Sequence, residues 1–280
     1  MTALLPPRSH LCSTAEGAVF HHGAHVTDWT PHGAEPVLWL SQNTDLDSDS
    51  VIRGGVSICW PWYGAGIDGV ASPLHGFASR TEWRLLDVAA SEQSVCATYL
   101  LIDAPSDQFE FPHRLYYKVC FGEKFSASFT VRNTGSRRFT FEEALHAYVH
   151  VKDVRNIVLS GLDGSKYLDR VPGNELGPHA QVGKLILDGE TDRIYHSKAQ
   201  IRIDDPEFGR RISVVRTGSR DAVIWNPWAE KSTTVMDMAP GEWSEMIGIA
   251  TANVAEHAVT LAPGKEHTMG FTLKVEPLLT

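Results

Sequence analysis

The sequence lacks several features that would assign its class at once. No apolar run is long enough to cross a bilayer, and the N-terminal residues MTALLPPRSH lack the basic start and apolar stretch of a signal peptide. No run of like charge forms a tail, and 25 Lys and Arg against 34 Asp and Glu give a formal net charge of -9. Nucleic-acid binding needs clustered cations. We therefore expect a cytoplasmic protein with no membrane and no nucleic-acid partner.

Cysteine motifs and the common nucleotide motifs are also missing. The four cysteines are far apart, with no CxxC and no tight Cys/His cluster, at positions 12, 59, 96 and 120. This spacing indicates neither a zinc site nor a disulfide framework, and reduced thiols are the simpler interpretation. There is no GxGxxG, no P-loop and no GxSxG, which argues against dinucleotide-binding, P-loop and serine-hydrolase sites. We expect no cofactor and no metal.

Helical periodicity is scarce, and period-two alternation takes its place. In FSASFTVRN (125–133) the apolar residues share one face and the polar residues share the other. Five further segments alternate in the same way: VCATYLLI (95–102), YYKVCF (116–121), QIRI (200–203), RISVV (211–215) and HTMGFTLKV (267–275). Many strands with few helices predict an all-β sandwich or barrel. No composition break or repeat divides the chain, which predicts one domain over residues 1–280.

Two aromatic clusters could be either scaffold or site. IRGGVSICWPWYG (52–64) places Arg53 and two glycines before Trp, Pro, Trp and Tyr, and AVIWNPWAE (222–230) contains Trp225. Adjacent glycines allow a close backbone approach to a ligand, Arg suits phosphate or several hydroxyls, and flat aromatic rings pack against sugar rings. A tight corner packed with aromatics is an equally good interpretation, because Trp and Tyr are frequent core residues.

Three polar residues lie in contexts that allow a functional or a structural role. His75 lies in the Pro- and Gly-rich loop SPLHGFASRTEW (72–83), and Asp192 lies next to an Arg in LDGETDRIYH (187–196). His146 alternates with Ala144, Tyr148 and His150 on one face of a predicted strand, where it could act as an acid or a base. From the residues alone, a structural histidine and a solvated charged turn are the simpler interpretations.

Taken in order, these segments resemble the hexose-6-phosphate mutarotases of the aldose 1-epimerase superfamily. The matching stretches are collinear and cover most of the chain: VLWLS, IRGGVSICWPWYG, LHGFA, EEALHAYVHV, GLDGSKYLD, TDRIY, VIWNPW and MDMAPGEW. The resemblance implies a large antiparallel β-sandwich, called a supersandwich. It also implies an enzyme that interconverts the α and β anomers of a hexose 6-phosphate without a cofactor.

The resemblance also implies roles for individual residues. Ring opening needs one proton to leave the anomeric hydroxyl while another reaches the ring oxygen, so one acid and one base suffice. The family His that serves the ring oxygen corresponds to His146, here the expected general acid. The residues expected to bind substrate are Arg53, His75, Ser79, Arg80, Asp192 and Trp225.

Two positions depart from the family pattern. Family members read H-G-F-A-R with the Arg at the phosphate, whereas this chain has Ser79 at that position and Arg80 one residue later. On a strand such a shift would reverse the face, while on a loop Arg80 could still reach the site. The second departure is Ala250 in IGIATA (247–252), where the family strand has its catalytic Glu.

These departures leave three functions open. The leading hypothesis is a glucose-6-phosphate 1-epimerase of low activity, because a general base contributes about 10²–10⁴-fold to rate. The alternatives are a binding protein for a sugar or sugar phosphate that has lost catalysis, and a mutarotase for a non-phosphorylated sugar. In each case the expected partner is a small-molecule sugar or sugar phosphate, and the expected state is a monomer or a weak dimer.

Overall fold

A computed structural model describes residues 8–44, 46, 51–101 and 108–279. Short alternating segments form strands throughout this part of the chain. The strands are β1 Arg8–Leu11, β2 Ala15–Val19, β3 Val26–Pro31, β4 Val56–Cys59, β5 Trp83–Ala90, β6 Ser94–Leu101, β7 His113–Gly122, β8 Lys124–Asn133, β9 Phe139–Phe141, β10 Glu143–His150, β11 Val158–Ser160, β12 Lys166–Asp169, β13 His179–Ala180, β14 Thr191–His196, β15 Ile201–Asp205, β16 Arg210–Thr217, β17 Asp221–Asn226, β18 Met246–Asn253, β19 Val259–Leu261 and β20 Glu266–Pro277.

Helix is limited to short pieces in the described residues. One α-helix, α1, spans Trp228–Ser232, and three 3₁₀ turns span Ala78–Arg80, Glu242–Glu245 and Ala255–His257. No helix in these ranges is long and apolar enough to cross a membrane. The predicted all-β class is confirmed.

The strands form two large antiparallel sheets and a small one. The ten-stranded sheet has the order β1-β2-β3-β4-β10-β18-β17-β14-β12-β13, the eight-stranded sheet has the order β11-β15-β16-β20-β8-β7-β6-β5, and β19 pairs with β9. One buried apolar cluster contains side chains from both large sheets, for example Trp29 of β3 and Phe125 of β8, whose rings lie 5.8 Å apart. The architecture is therefore a large β-sandwich.

The alternating segments lie where the sequence predicts strands. In β8 the residues Phe125, Ala127, Phe129 and Val131 are all buried in this core. Five other predicted segments fall in β6, β7, β15, β16 and β20, except that Gln200 precedes β15 and Ile102 lies outside the described residues. Period-two alternation identifies these strands because one face packs on the core and the other does not.

Alternate residues of β10 lie on opposite faces of the ten-stranded sheet, one facing the core and the other the candidate site. Leu145, Ala147 and Val149 enter the central core, while His146 and Tyr148 lie on the opposite face of the ten-stranded sheet. In register, His146 pairs with Ser57 of β4 and with Ala250 of β18. The face of the sheet that points away from the central core therefore carries the candidate residues.

The interpretation of the cysteines as reduced thiols is wrong for two of the four. Cys96 and Cys120 are direct cross-strand partners in β6 and β7 and form a disulfide, while Cys12 and Cys59 are free. The two residues are 24 positions apart in the chain. Sequence spacing does not predict this bond, because the register of two strands brings the thiols together.

Candidate functional site

His146 lies at the floor of a cleft on the outer face of the ten-stranded sheet. Its side chain is buried, with 8 % of the residue exposed, and its Nε2 has no hydrogen-bond partner among the described residues. The ring stacks on Tyr148 with centroids 4.5 Å apart. A buried ring nitrogen without a partner is costly, and here it borders a cleft where a ligand oxygen can bind.

Electrostatics keep the resting His146 ring neutral. Burial, followed by the electrostatic interactions with His75 and Arg53, lowers the pKa of His146 to about 3. The pKa of His75 is also lowered, to about 4, by burial and by three arginines, Arg170, Arg53 and Arg80. The cleft is therefore a region of positive potential that suits an anionic ligand.

Arg53 is fixed on one wall of the cleft. Its Nε donates to Asp237 at 3.0 Å and its Nη1 donates to the Tyr148 hydroxyl at 2.8 Å. Gly55, which follows in the chain, has a φ of +59°, and a Cβ there would lie 1.9 Å from the Val26 carbonyl oxygen. The glycine therefore fits the backbone against a neighbouring strand and does not serve a ligand directly.

His75 and the following turn form the rim of the cleft. His75 has a left-handed φ of 67°, and its Nδ1 accepts a hydrogen bond from the Gly64 amide at 3.1 Å. Ser79 and Arg80 lie on the 3₁₀ turn Ala78–Arg80, and both border the cleft, Ser79 buried and Arg80 exposed. Because this segment is a turn and not a strand, the shift from Ser79 to Arg80 does not remove the cation from the site.

Asp192 and Trp225 lie on the other side of His146. They pair in register between β14 and β17, and Trp225 pairs in turn with Gly248 of β18. The Trp225 ring meets the His146 ring edge-on at 6.2 Å. Asp192 lies on a strand and is partly buried, so its interpretation as a solvated turn residue is wrong.

Asp192 is held next to a cation. Its Oδ2 lies 3.9 Å from Nε of Arg170, and its backbone carbonyl accepts from the Arg170 amide at 2.8 Å. Burial raises the pKa of Asp192, although the Arg170 charge acts in the opposite direction. Both side chains border a lobe of the cleft that also contains His146, Tyr148, Arg53 and Tyr63. The structure therefore brings His146, Arg53, His75, Asp192 and Trp225 together.

Ala250 lies directly across from His146, yet it is packed away from solvent. It is 0 % exposed and belongs to a small apolar cluster with Tyr63 and Val223, among others. Directly opposed residues on adjacent strands have Cβ atoms about 4.5–5.5 Å apart. A longer side chain at this position would therefore start beside His146 and would have to share space with Tyr63.

Sequence reasoning assigned no binding role to several residues that border the cleft. Tyr148 had a detectable signal, since it alternates with His146 on the same strand face. Asp237 is part of the stretch MDMAPGEW, which carried the family resemblance but indicated no role for this residue. Arg170 gave no signal because it is a lone cation after β12. Tyr63 belonged to an aromatic segment, of which Trp60 is instead fully buried in the central core.

The main part of the cleft has a volume of about 510 Å³, within the usual range for a small-molecule site.

A sequence profile described as aldose 1-epimerase matches residues 13–274. The chain belongs to the aldose 1-epimerase family. Its fold, an antiparallel all-β sandwich, is similar to that of a solved mutarotase-like protein.

Relatives in this family carry a more specific name. A Salmonella typhimurium protein named "Putative glucose-6-phosphate 1-epimerase" is 32% identical over 231 residues, which cover 82% of this chain and 76% of that protein. A protein of the same name from Escherichia coli is 31% identical over 237 residues, covering 84% and 78%. The crystal structure of a "putative mutarotase" from Salmonella typhimurium superposes with a TM-score of 0.88 at 27% identity, covering 98% of this chain and 94% of that one.

Proposed function

We propose that the protein is an isomerase that interconverts the α and β anomers of a hexose 6-phosphate, with glucose 6-phosphate as the first substrate to test. The observation that carries the proposal is His146, a buried imidazole whose Nε2 has no hydrogen-bond partner among the described residues and which borders a cleft rich in arginine. The names of the curated relatives support the same substrate.

The proposed reaction needs two proton transfers. A base takes the proton of the anomeric hydroxyl, the bond between the anomeric carbon and the ring oxygen breaks, and an acid protonates the ring oxygen. Rotation of the open-chain aldehyde followed by the reverse transfers closes the ring with the other anomer. We assign the ring oxygen to His146, and the anomeric hydroxyl to Asp192 in the absence of a glutamate at position 250.

The positions of His146 and Asp192 support these roles as acid and base. Asp192 lies on β14, three strands away from β10 in the sheet. At a strand spacing of about 4.8 Å this separates the two backbones by roughly 14 Å. His and Asp side chains extending into that space leave room for one sugar ring between them. Burial that raises the pKa of Asp192 also makes its carboxylate a better base.

The phosphate has a role in the same scheme. His146 begins as a neutral ring because burial, followed by the interactions with His75 and Arg53, lowers its pKa. A phosphate dianion bound near Arg53 and Arg80 would neutralise those cations and raise the pKa of His146 in the complex. A phosphorylated sugar should therefore turn over faster than the free sugar as well as bind more tightly.

The alanine at position 250 predicts a slow enzyme. Asp192 approaches the sugar from farther away than a glutamate opposite His146 would. Since a well-placed base contributes about 10²–10⁴-fold, part of that factor is expected to be missing. Ala250→Glu should raise the rate if the new carboxylate can displace Tyr63 and reach the cleft.

Two-dimensional exchange NMR on glucose 6-phosphate tests the proposal. The purified protein should increase the exchange rate between the two anomers above the spontaneous rate, with saturation in substrate, and His146→Gln should abolish the increase. Glucose serves as the comparison substrate and should exchange more slowly. Equal exchange with the wild type and with the His146 variant would remove His146 from the mechanism.

A second candidate is a sugar-phosphate binding protein without catalysis. The observation that favours it is Ala250, fully buried among apolar side chains where a base would be expected. Calorimetry would then show glucose 6-phosphate binding that depends on Arg53, with exchange at the spontaneous rate. A mutarotase for a non-phosphorylated sugar, favoured by Ser79 in place of arginine, would instead exchange glucose at least as fast as its phosphate.

We further propose that the chain acts as one domain, as a monomer or weak dimer, in the cytoplasm. The family match over residues 13–274 supports the single domain. The disulfide between Cys96 and Cys120 argues against the cytoplasm, because such bonds are rare in reducing compartments. Sedimentation gives the oligomeric state, and thiol counting on protein alkylated inside cells tests the compartment.

A further inference from the structure

We propose that His196, Glu256 and His257 form a binding site for a divalent transition-metal cation of the zinc type, outside the sugar cleft. One potential ligand atom from each of these residues lies within 4.8 Å of one from each of the others. Two imidazoles and one carboxylate are a donor set that zinc accepts, with a fourth position left for water or an anion.

The three residues come from separate parts of the chain. His196 ends β14, whereas Glu256 and His257 lie on the 3₁₀ turn that follows β18. Nε2 of His196 lies 3.6 Å from Oε1 of Glu256. Ligand atoms on one tetrahedral zinc ion are about 3.4 Å apart, as bond lengths near 2.1 Å require. His196 and Glu256 are therefore already near ligand spacing, and the remaining distances, all within 4.8 Å, would have to shorten by at most about 1.4 Å.

A buried carboxylate orients both imidazoles. Oδ1 of Asp221 accepts from Nδ1 of His196 at 2.9 Å and from Nδ1 of His257 at 2.7 Å, and Asp221 is 0 % exposed. With both Nδ1 atoms donating, each ring keeps its Nε2 for a ligand. Metal-binding histidines in proteins are commonly held in this way by a carboxylate on the other ring nitrogen.

The turn that carries two of the ligands is itself held in place. Oδ2 of Asp221 accepts from the Val254 amide at 3.1 Å, and Oε1 of Glu142 accepts from the Ala255 amide at 2.6 Å. Both carboxylates are buried. The geometry of the site is thus set by hydrogen bonds that are present without an ion, which lowers the cost of ordering the ligands.

The site is accessible and distinct from the cleft. The side chains of His196, His257 and Glu256 are 17%, 22% and 71% exposed. Along β14, His196 lies four residues from Asp192, or about 13 Å at 3.3 Å per residue. Val223, Ala250 and Ile194 lie in a buried apolar cluster between the two positions.

The charges around the site favour a dication that also carries an anion or an ionised water. The buried Asp221 and the exposed Glu256 together balance a dication. Lys198 and Arg220 border the same depression, and their charges favour an anion or a water that ionises at the fourth position of the metal. The same two cations could instead bind phosphate without a metal. The experiment must therefore distinguish zinc binding from phosphate binding.

Chelator-treated protein titrated with Zn²⁺ by calorimetry, and with Co²⁺ by visible absorption, tests the site. We expect one ion per chain, a tetrahedral Co²⁺ spectrum and a rise in melting temperature with Zn²⁺. Glu256→Gln and His257→Gln should each weaken Zn²⁺ binding at least tenfold. The matched controls Glu266→Gln and His32→Gln, both exposed and elsewhere, should leave Zn²⁺ binding unchanged.

Two results would overturn the proposal. One is the absence of stoichiometric Zn²⁺ binding to the wild-type protein, or binding that both ligand variants retain. The other is binding of inorganic phosphate to chelator-treated protein that depends on Lys198 and Arg220 but not on Glu256. Because Glu256 is mostly exposed, Glu256→Gln should fold, so a lost ion in that variant cannot be attributed to unfolding.

Discussion

Two groups of histidines differ in their hydrogen bonding: His146 of β10 in the cleft, and His196 of β14 with His257 of the turn after β18. Nε2 of His146 is buried without a partner in the described chain, whereas His196 and His257 are both bound through Nδ1 to the buried Asp221. The first arrangement costs stability and leaves a group available for a substrate. The second pairs both Nδ1 atoms inside the protein and leaves the Nε2 atoms toward the outside, that of His196 being 3.6 Å from Glu256. The difference shows that the apparent function of a histidine depends on which of its atoms the fold leaves unpaired.

After the loss of His146 itself, removing the proposed base should give the largest effect in the cleft. Asp192→Asn keeps the shape and removes the proton acceptor. We expect anomer exchange to fall by about 10²–10³-fold, the lower part of the range for a general base, because Asp192 lies farther from the sugar than a glutamate at position 250 would. Exchange NMR on glucose 6-phosphate measures it. The nearby exposed Asp188→Asn is the matched control and should be silent. An unchanged rate in Asp192→Asn would assign the base to another group.

A change that moves His146 without altering it should have the next largest effect. A Cβ on Gly248 would lie 2.8 Å from Nε2 of His146, so Gly248→Ala should push the ring out of position. Displacing a catalytic group by about 1 Å can cost roughly 10²-fold in rate. Gly189→Ala, where a Cβ meets nothing within 4 Å, is the control. If both variants keep full activity, the position of the ring is not critical.

The free energy of unfolding should depend more on the group of His196, His257 and Asp221 than on His146. Asp221→Asn replaces a buried acceptor that serves two imidazoles and one backbone amide, and we expect unfolding free energy to drop by about 1–3 kcal/mol. His146→Gln should cost less, because Nε2 of His146 makes no hydrogen bond to any residue that the structure describes. Urea denaturation of the two variants measures both. A larger loss for His146→Gln would reverse the comparison between the two histidine groups.

The smallest expected effect is on the titration of the His146 ring. A folded-state pKa of about 3 means that His146 protonates only as the pH falls far below the value near 6.5 of an unfolded chain. In the native protein its ring resonance, assigned by its loss in His146→Gln, should therefore stay at the neutral position from pH 8 to pH 5. The urea-unfolded protein supplies the reference titration. A native midpoint near 6.5 would show that the ring is solvated.

Much of the fold could be predicted because alternation records which face of a strand is buried. The segment 125–133 is an example, since its four apolar residues all enter the core. The identity of several site residues followed from their resemblance to a family, not from periodicity. Arg170 was missed because a lone cation after a short strand has no pattern, and its role depends on Asp192 lying next to it.

The sequence by itself determined the strand content, the parity that points His146 away from the core, and the family. Tertiary structure decided which distant residues meet, because strand register sets those contacts and does not follow from local pattern. The register of β6 and β7 joins Cys96 to Cys120, and that of β14 and β17 brings His196 to Asp221. The turn at Ala78–Arg80, and not the spacing of its letters, keeps Arg80 at the cleft.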